Sequence, residues 1–431
     1  MSTTASPGPG SGILIVASST GAPLARAITP WTSRTPPTSG TAIASSRSGP
    51  TTYPSPAAAG QFWWETSGPR LPSRDQAAVR NDGEVLSVPR SWAELTPSWL
   101  TEALAGAFPG AVVEAVEPRD VVDGTNARAR IDLRYSTGDG PERVFVKREG
   151  RLLNRLALTA LGAREAEARL AGGPDAAPAR LPLDHPAFYA SALDARRLAA
   201  VTVMEDVTLR GGRPNQATVP LSVEEVRSGL RGLARLHAEH WDRPLSPPLD
   251  FARPWRLGRV WAPVSWGSLA RALRLLRAGG HGKLIPAGVN AGVVERGFRG
   301  WARTAAAHPR TLLHGDPHPG NTYALPGQET GFYDWQLVRT GNWSHDVGYF
   351  VVSSLAVDDR RAAERDLLAD YLAALAAAGG PAIGFTPAWA LYRRTPVFGL
   401  GTWLHTLAGG GFQPLDVCLA TIERFAAAYA E

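Results

Sequence analysis

Leu312-Leu-His314-Gly-Asp316-Pro-His-Pro-Gly-Asn321, followed by Gly331-Phe-Tyr-Asp334-Trp-Gln336, is the stretch on which the reading of this chain turns. Two prolines and two glycines surround His318, a composition that no helix tolerates, so the segment is a loop that poses side chains. Asp316 stands five residues before Asn321, and Asp334 follows a β-type approach from Thr330 to Tyr333. Phosphoryl transfer asks for such a set. One carboxylate orients or takes the proton of an acceptor hydroxyl, while an amide oxygen and a second carboxylate hold Mg²⁺ on the phosphates of a nucleotide. The backbone of a posed aspartate needs hydrogen-bond partners, which is the expected work of His314. A metal-hydrolase reading of His314, His318 and His345 is disfavoured, because without a helix the first two share no face and no further spacing fits zinc.

Upstream of the loop the pattern is that of a sheet. Thr96-Pro97 starts a short helix through Ala107, with a hydroxyl cap and then proline at the first helical position. Strand signals follow at 111–122, 127–135 and 143–149. In the second, Ala127, Ala129, Ile131 and Leu133 alternate with Arg128, Arg130, Asp132 and Arg134, as a half-buried antiparallel strand requires. A helical stretch is expected at 152–170, then strands near 187–191 and 197–205. Beyond 207 the pattern turns helical: Ser222 and Glu225 form a capping box before 223–241, and further helices are expected at 266–278, 289–307, 359–378, 386–407 and 415–430.

Composition sets the outer limits. Of 431 residues 44% are apolar, enough for a large core, and the single cysteine, Cys418, excludes an internal disulfide and fits a reducing cytoplasm. No apolar run approaches the roughly 18 residues of a membrane helix. Ser, Thr, Pro, Gly and Ala fill 47 of the first 60 positions, so 1–82 is expected to be a disordered tail. Residues 1–64 carry three arginines and no carboxylate, which accounts for half of the net +6. No run of basic residues interleaved with aromatics appears, so a nucleic-acid groove is not expected, and no membrane partner is either. Among 45 basic residues only Lys147 and Lys283 are lysine. A lysine retained against that bias suggests a site where a compact charge serves and a planar fork does not.

The loop motif resembles the catalytic loop of the aminoglycoside phosphotransferase and choline kinase-like superfamily, nearest to its ecdysteroid-kinase-like and related bacterial members. Asp334-Trp-Gln resembles the metal-binding motif of that superfamily, and Asp346-Val-Gly-Tyr-Phe resembles the segment that follows it. The resemblance spans about 86–430. It implies an α+β, protein-kinase-like bilobal fold, with a small antiparallel-sheet N-lobe at 83–204 and a larger helical C-lobe at 205–431. It implies ATP, with GTP as the open alternative, and Mg²⁺ as cofactors. Asp316 would be the catalytic carboxylate, with Asn321 and Asp334 on the metal. Lys147, at the end of Val144-Phe-Val-Lys, would hold the phosphates, paired with Glu165 in preference to Glu167. Gly124, Thr125 and Asn126 would form the nucleotide-positioning turn, and Glu205 would lie on the connector that meets the base. His237 reads as a packed structural histidine and Asp346 as a brace of the loop.

The acceptor is a small molecule with a hydroxyl. Residues 371–415 contain no Asp or Glu, and 207–431 carries 24 basic against 18 acidic side chains, which disfavours a polycationic acceptor and points to a neutral or weakly charged alcohol. The competing class is a non-catalytic kinase-like protein that binds nucleotide or ligand.

Overall fold

The computed structural model describes residues 86–123, 126–150, 165–172, 177–254 and 261–431, all within one compact unit, Pro69–Glu431. The tail expected at 1–82 and most of the helix expected at 152–170 lie outside them. The chain opens with helix α1 (Pro97–Leu104), capped by the Thr96 side chain on the Trp99 amide. Five strands follow: β1 (Val112–Asp123), β2 (Asn126–Thr137), β3 (Arg143–Glu149), β4 (Phe188–Asp194) and β5 (Ala199–Glu205), with helix α2 (Ala166–Leu170) between β3 and β4. They form one sheet, ordered β1-β2-β3-β5-β4 and antiparallel throughout.

The alternation read from β2 decides which way the sheet faces. Ala129, Ile131, Val144, Val146, Val201 and Val203 are buried against Trp99, Leu100 and Leu104 of α1. The opposite face carries Phe145 and Met204, which join the core of the helical half, and Lys147. One face therefore builds the small lobe and the other is turned to the site.

The helical half comprises α3 (Val223–Glu239), α4 (Trp261–Ala278), α5 (Ala291–Ala306), α6 (Ser344–Ser354), α7 (Val357–Ala377), α8 (Phe385–Tyr392), α9 (Thr395–Gly409) and α10 (Leu415–Tyr429). The capping box of Ser222 and Glu225 is present, and the Val226–Leu230–Leu233–Leu236–His237 stripe of α3 is fully buried. Short strands β6 (Arg213–Pro214), β7 (Thr311–Leu313), β8 (Thr322–Leu325), β9 (Glu329–Phe332) and β10 (Arg339–Gly341) carry the loops between helices. This is the protein-kinase-like bilobal architecture, an antiparallel sheet lobe beside a mainly helical one.

Two expectations are corrected. The single helix at 386–407 is two, α8 and α9, parted at Arg393-Arg394. Pro396 lacks an amide hydrogen and crowds the preceding turn, so it fits only the first turn of a new helix. Helix α6 was not foreseen. All eleven of its residues are buried, so it shows no polar stripe for periodicity to find.

Arg210 ties the two halves together just beyond β5. Its guanidinium donates to Glu205 Oε1 (2.8 Å), Asp184 Oδ1 (2.8 Å) and the Tyr323 hydroxyl (2.9 Å) on β8.

Candidate active site

The buried strand β7 delivers the chain into His314-Gly315-Asp316. Gly315 adopts φ +87°, and a Cβ there would lie 2.1 Å from the Leu337 carbonyl oxygen, so no other residue fits without moving the backbone. Asp346, wholly buried at the start of α6, accepts from the amides of His314 (2.7 Å) and Gly315 (3.0 Å), and His237 Nε2 lies 3.4 Å from it. Asp346 thus braces the loop, and His237 is packed structure, held on its other nitrogen by the Tyr371 hydroxyl at 2.8 Å. Because the Asp316 amide donates to His314 Nδ1 (3.3 Å), the proton sits on Nε2, which donates to the Tyr333 carbonyl (3.1 Å). His345 Nε2 reaches the Gly315 carbonyl at 3.1 Å.

Asp316 is therefore posed by its backbone, and its side chain is left to two neighbours. Asn321 Nδ2 donates to its carbonyl (3.0 Å) and to Oδ2 (3.2 Å). That orientation commits the amide nitrogen and leaves the Asn321 Oδ1 for a cation. His318 accepts from the Gly320 amide on Nδ1 (3.1 Å), so its Nε2–H faces Asp316 Oδ2 at 3.8 Å. Burial pushes the Asp316 carboxyl above the usual carboxylate range, and the His318 ring opposes the shift.

The second carboxylate comes from the turn after β9. Asp334 holds φ 62°, ψ 61°, a left-handed conformation that costs a non-glycine residue free energy and marks a site where the backbone is over-determined. It places Oδ1 2.5 Å from Lys147 Nζ, and Glu167 Oε2 lies 2.9 Å from the same nitrogen. Burial alone would raise the Asp334 carboxyl, yet the Lys147 ammonium beside it holds it low. Glu167 also accepts from the Trp335 amide at 3.1 Å, so one side chain positions both the lysine and the turn carrying Asp334.

Here the expected pairing is corrected: Lys147 meets Glu167 and not Glu165. Glu165 precedes the first residue of α2 and turns back along the helix to Arg169, at 3.0 Å. Glu167, two positions on, points the opposite way into the buried side and is 6% exposed. Asn126 Nδ2 donates to Gln336 Oε1 at 2.6 Å, which lays the start of β2 on the Asp334-Trp-Gln segment. Gly124 and Thr125 lie outside the described residues. Glu205 ends β5 opposite Val144, with its carboxylate engaged by Arg210 Nε and by the Ala187 amide.

Sequence reasoning missed Tyr349 and Trp403. The Tyr349 hydroxyl is buried close enough to the Asp316 carboxyl to feel its charge, and the Trp403 indole nitrogen is buried beside it. Their signal was hidden, since Tyr349 sits on the unforeseen α6 and Trp403 reads as ordinary helical core. A cavity of about 370 Å³ opens elsewhere, between α5, α7 and the end of α10, with Arg360, Glu364 and Arg393 in its wall. No group of three or more His, Cys, Asp or Glu side chains among the described residues is arranged to hold a metal ion.

The model of the phosphotransferase enzyme family matches residues 129–390, well over half of the chain. The chain belongs to the phosphotransferase enzyme family. As a member it is a phosphotransferase of small molecules. Among solved structures, a macrolide 2'-phosphotransferase type I is similar at 16% identity, covering 78% of this chain and 97% of that one, with a TM-score of 0.40. The choline kinase LicA from Streptococcus pneumoniae is similar at 14% identity, with 79% and 99% coverage and a TM-score of 0.40. An aminoglycoside-3'-phosphotransferase of type VIII reaches 23% identity, with 69% and 96% coverage and a TM-score of 0.36. No curated protein matches the chain. No helix among the described residues is long and apolar enough to cross a membrane.

Proposed function

We propose that this family member transfers the γ-phosphoryl group of ATP to a hydroxyl of a neutral or weakly charged small molecule, with the sheet lobe up to residue 204 binding nucleotide and the remainder carrying catalysis and the acceptor. The observation that carries this is the Glu167–Lys147–Asp334 ion-pair chain, which joins the sheet to a loop cluster containing Asp316 and Asn321. Asp316 receives the acceptor hydroxyl in hydrogen-bond reach and takes its proton as the new O–P bond forms and the bond from the γ-phosphorus to the departing ADP breaks. Its burial and the adjacent His318 Nε2–H keep the carboxylate oriented. Lys147, freed in part from Asp334 when nucleotide enters, places its ammonium on the phosphates while Glu167 fixes its stem.

The donor set of Asp334 and Asn321, a carboxylate and an amide oxygen, fits Mg²⁺, and these two residues would hold it. When bound there it would neutralise charge on the phosphates. The acceptor reading is supported by the carboxylate-free 371–415 segment, whose Trp403 stands beside the site, although most aromatics of that segment are core.

The test is incubation with Mg·ATP and a mixed library of hydroxylated metabolites, read by mass spectrometry, with Asp316→Ala in parallel. Wild type should yield a phosphorylated product. The variant should lose roughly 10³-fold or more in turnover and keep Mg·ATP affinity. Nucleotide binding without product from any alcohol would instead return the chain to a non-catalytic binding role.

A further inference from the structure

The β2–β3 register places Arg128 directly opposite Lys147, with Thr202 of β5 next in the row, so all three side chains leave the same face of the sheet. Directly opposed residues have Cβ atoms about 5 Å apart, and like charges at that spacing destabilise the pair. Lys147 has its own counter-ions in Glu167 and Asp334. Arg130, the next residue of β2 on this face, has Asp206 at 3.0 Å and Asp120 at 2.9 Å. Arg128 differs from both. It is exposed and forms no hydrogen bond or ion pair among the described residues.

Its surroundings are nonetheless built. Two residues earlier, Asn126 is fixed to Gln336 at 2.6 Å, which pins the start of β2 over the Asp334 turn. Tyr333, the residue before Asp334, is near enough for its phenol to feel the Arg128 charge. A guanidinium without a counter-ion among the described residues, opposed to an ammonium and two positions from a pinned strand end, is open to an anion with several oxygens. A planar fork meets phosphate oxygens two at a time, as an ammonium does not.

We infer that Arg128 is a second phosphate-binding cation of the nucleotide site, gripping the outer phosphates of the nucleotide beside Lys147. The inference rests on the nucleotide-dependent reading given above and adds a residue to it. It assigns to Arg128 affinity that grows with the number of phosphates, and none toward the nucleoside.

The experiment measures dissociation constants of the full chain for Mg·ATP, Mg·ADP, AMP and adenosine, in wild type, Arg128→Gln, Arg128→Lys and Arg134→Gln. Arg134 is exposed on the same strand and face, about 20 Å along it at 3.3 Å per residue, so it removes an equal charge at a distance. Arg128→Gln should weaken Mg·ATP at least tenfold and leave adenosine within twofold. Arg128→Lys should fall between, and Arg134→Gln should change neither. Equal weakening of ATP and adenosine would mean a scaffold effect, and no weakening at all would leave Arg128 a solvated surface charge; either result overturns the inference. Wild type that binds ATP no better than adenosine would overturn the nucleotide-dependent reading itself, a different failure from the first two.

Discussion

At the scale of single residues, the most consequential finding is that two glutamates two positions apart have unrelated tasks. Glu167 holds Lys147 and the Trp335 amide, whereas Glu165 holds Arg169 on the same helix. Glu167→Gln should therefore lower kcat/KM by about 10²-fold, the loss that goes with roughly 1 Å of misplacement at a reacting centre. Glu165→Gln should stay within about twofold, since a partly exposed i,i+4 pair contributes little. Steady-state kinetics on both variants decide it, and the reverse ranking would sink the assignment of the ion pair. The choice between the two was not legible in the sequence because it depends on where α2 begins. A shift of two positions rotates a side chain by about 200° on a helix, and no cap residue at Glu165 announces the start. The gathering of Asp316, Asn321, Asp334 and Lys147 was legible, because glycines, prolines and one of only two lysines in an arginine-rich chain leave few other readings.

Secondary-structure elements tell a similar story. The five strands of the sheet could be read because one face is apolar and the other polar, a period of two that survives substitution of any one residue. Helix α6 could not, because burial on every side erases the period. Yet α6 is what steadies the His314–Asp316 loop, through Asp346 at its first turn. Asp346→Asn replaces one acceptor oxygen by an NH₂ that would face the amide of His314 or Gly315. Leaving one of those buried donors unsatisfied should cost about 1–3 kcal/mol of unfolding free energy. Turnover should fall along with it, because the loop backbone sets the Asp316 position. Urea unfolding monitored by tryptophan fluorescence gives the first quantity and a kinetic assay the second. A variant as stable and as active as wild type would show that the brace is dispensable.

For the whole molecule, the interior sets a limit on the acid side. Burial holds His345 and His405 near a pKa of about 4, against an ordinary value of 6.5. Both are neutral in the folded chain, so on acidification the unfolded chain takes up protons first. The stability that these two residues contribute is complete above about pH 6.5, declines between 6.5 and 4, and is lost below that. For His345, at 3% exposure, the full loss is at most on the order of 3 kcal/mol. His345→Gln keeps a donor for the Gly315 carbonyl and cannot titrate in this range. Its stability loss between pH 7 and 5 should be smaller than that of wild type, as denaturant midpoints at the two pH values would reveal; an unchanged loss would assign the acid sensitivity to other groups.

Only two side chains in the molecule end in a primary amine, and they occupy opposite extremes of environment. Lys283 is exposed on a short turn after α4, while Lys147 is clamped between two carboxylates and stays protonated. An acylating reagent consequently meets one reactive lysine and one shielded lysine within the same chain. The ratio of the two modified peptides is a self-normalising gauge, in which Lys283 counts reagent dose and Lys147 counts the fraction of time the clamp stands open.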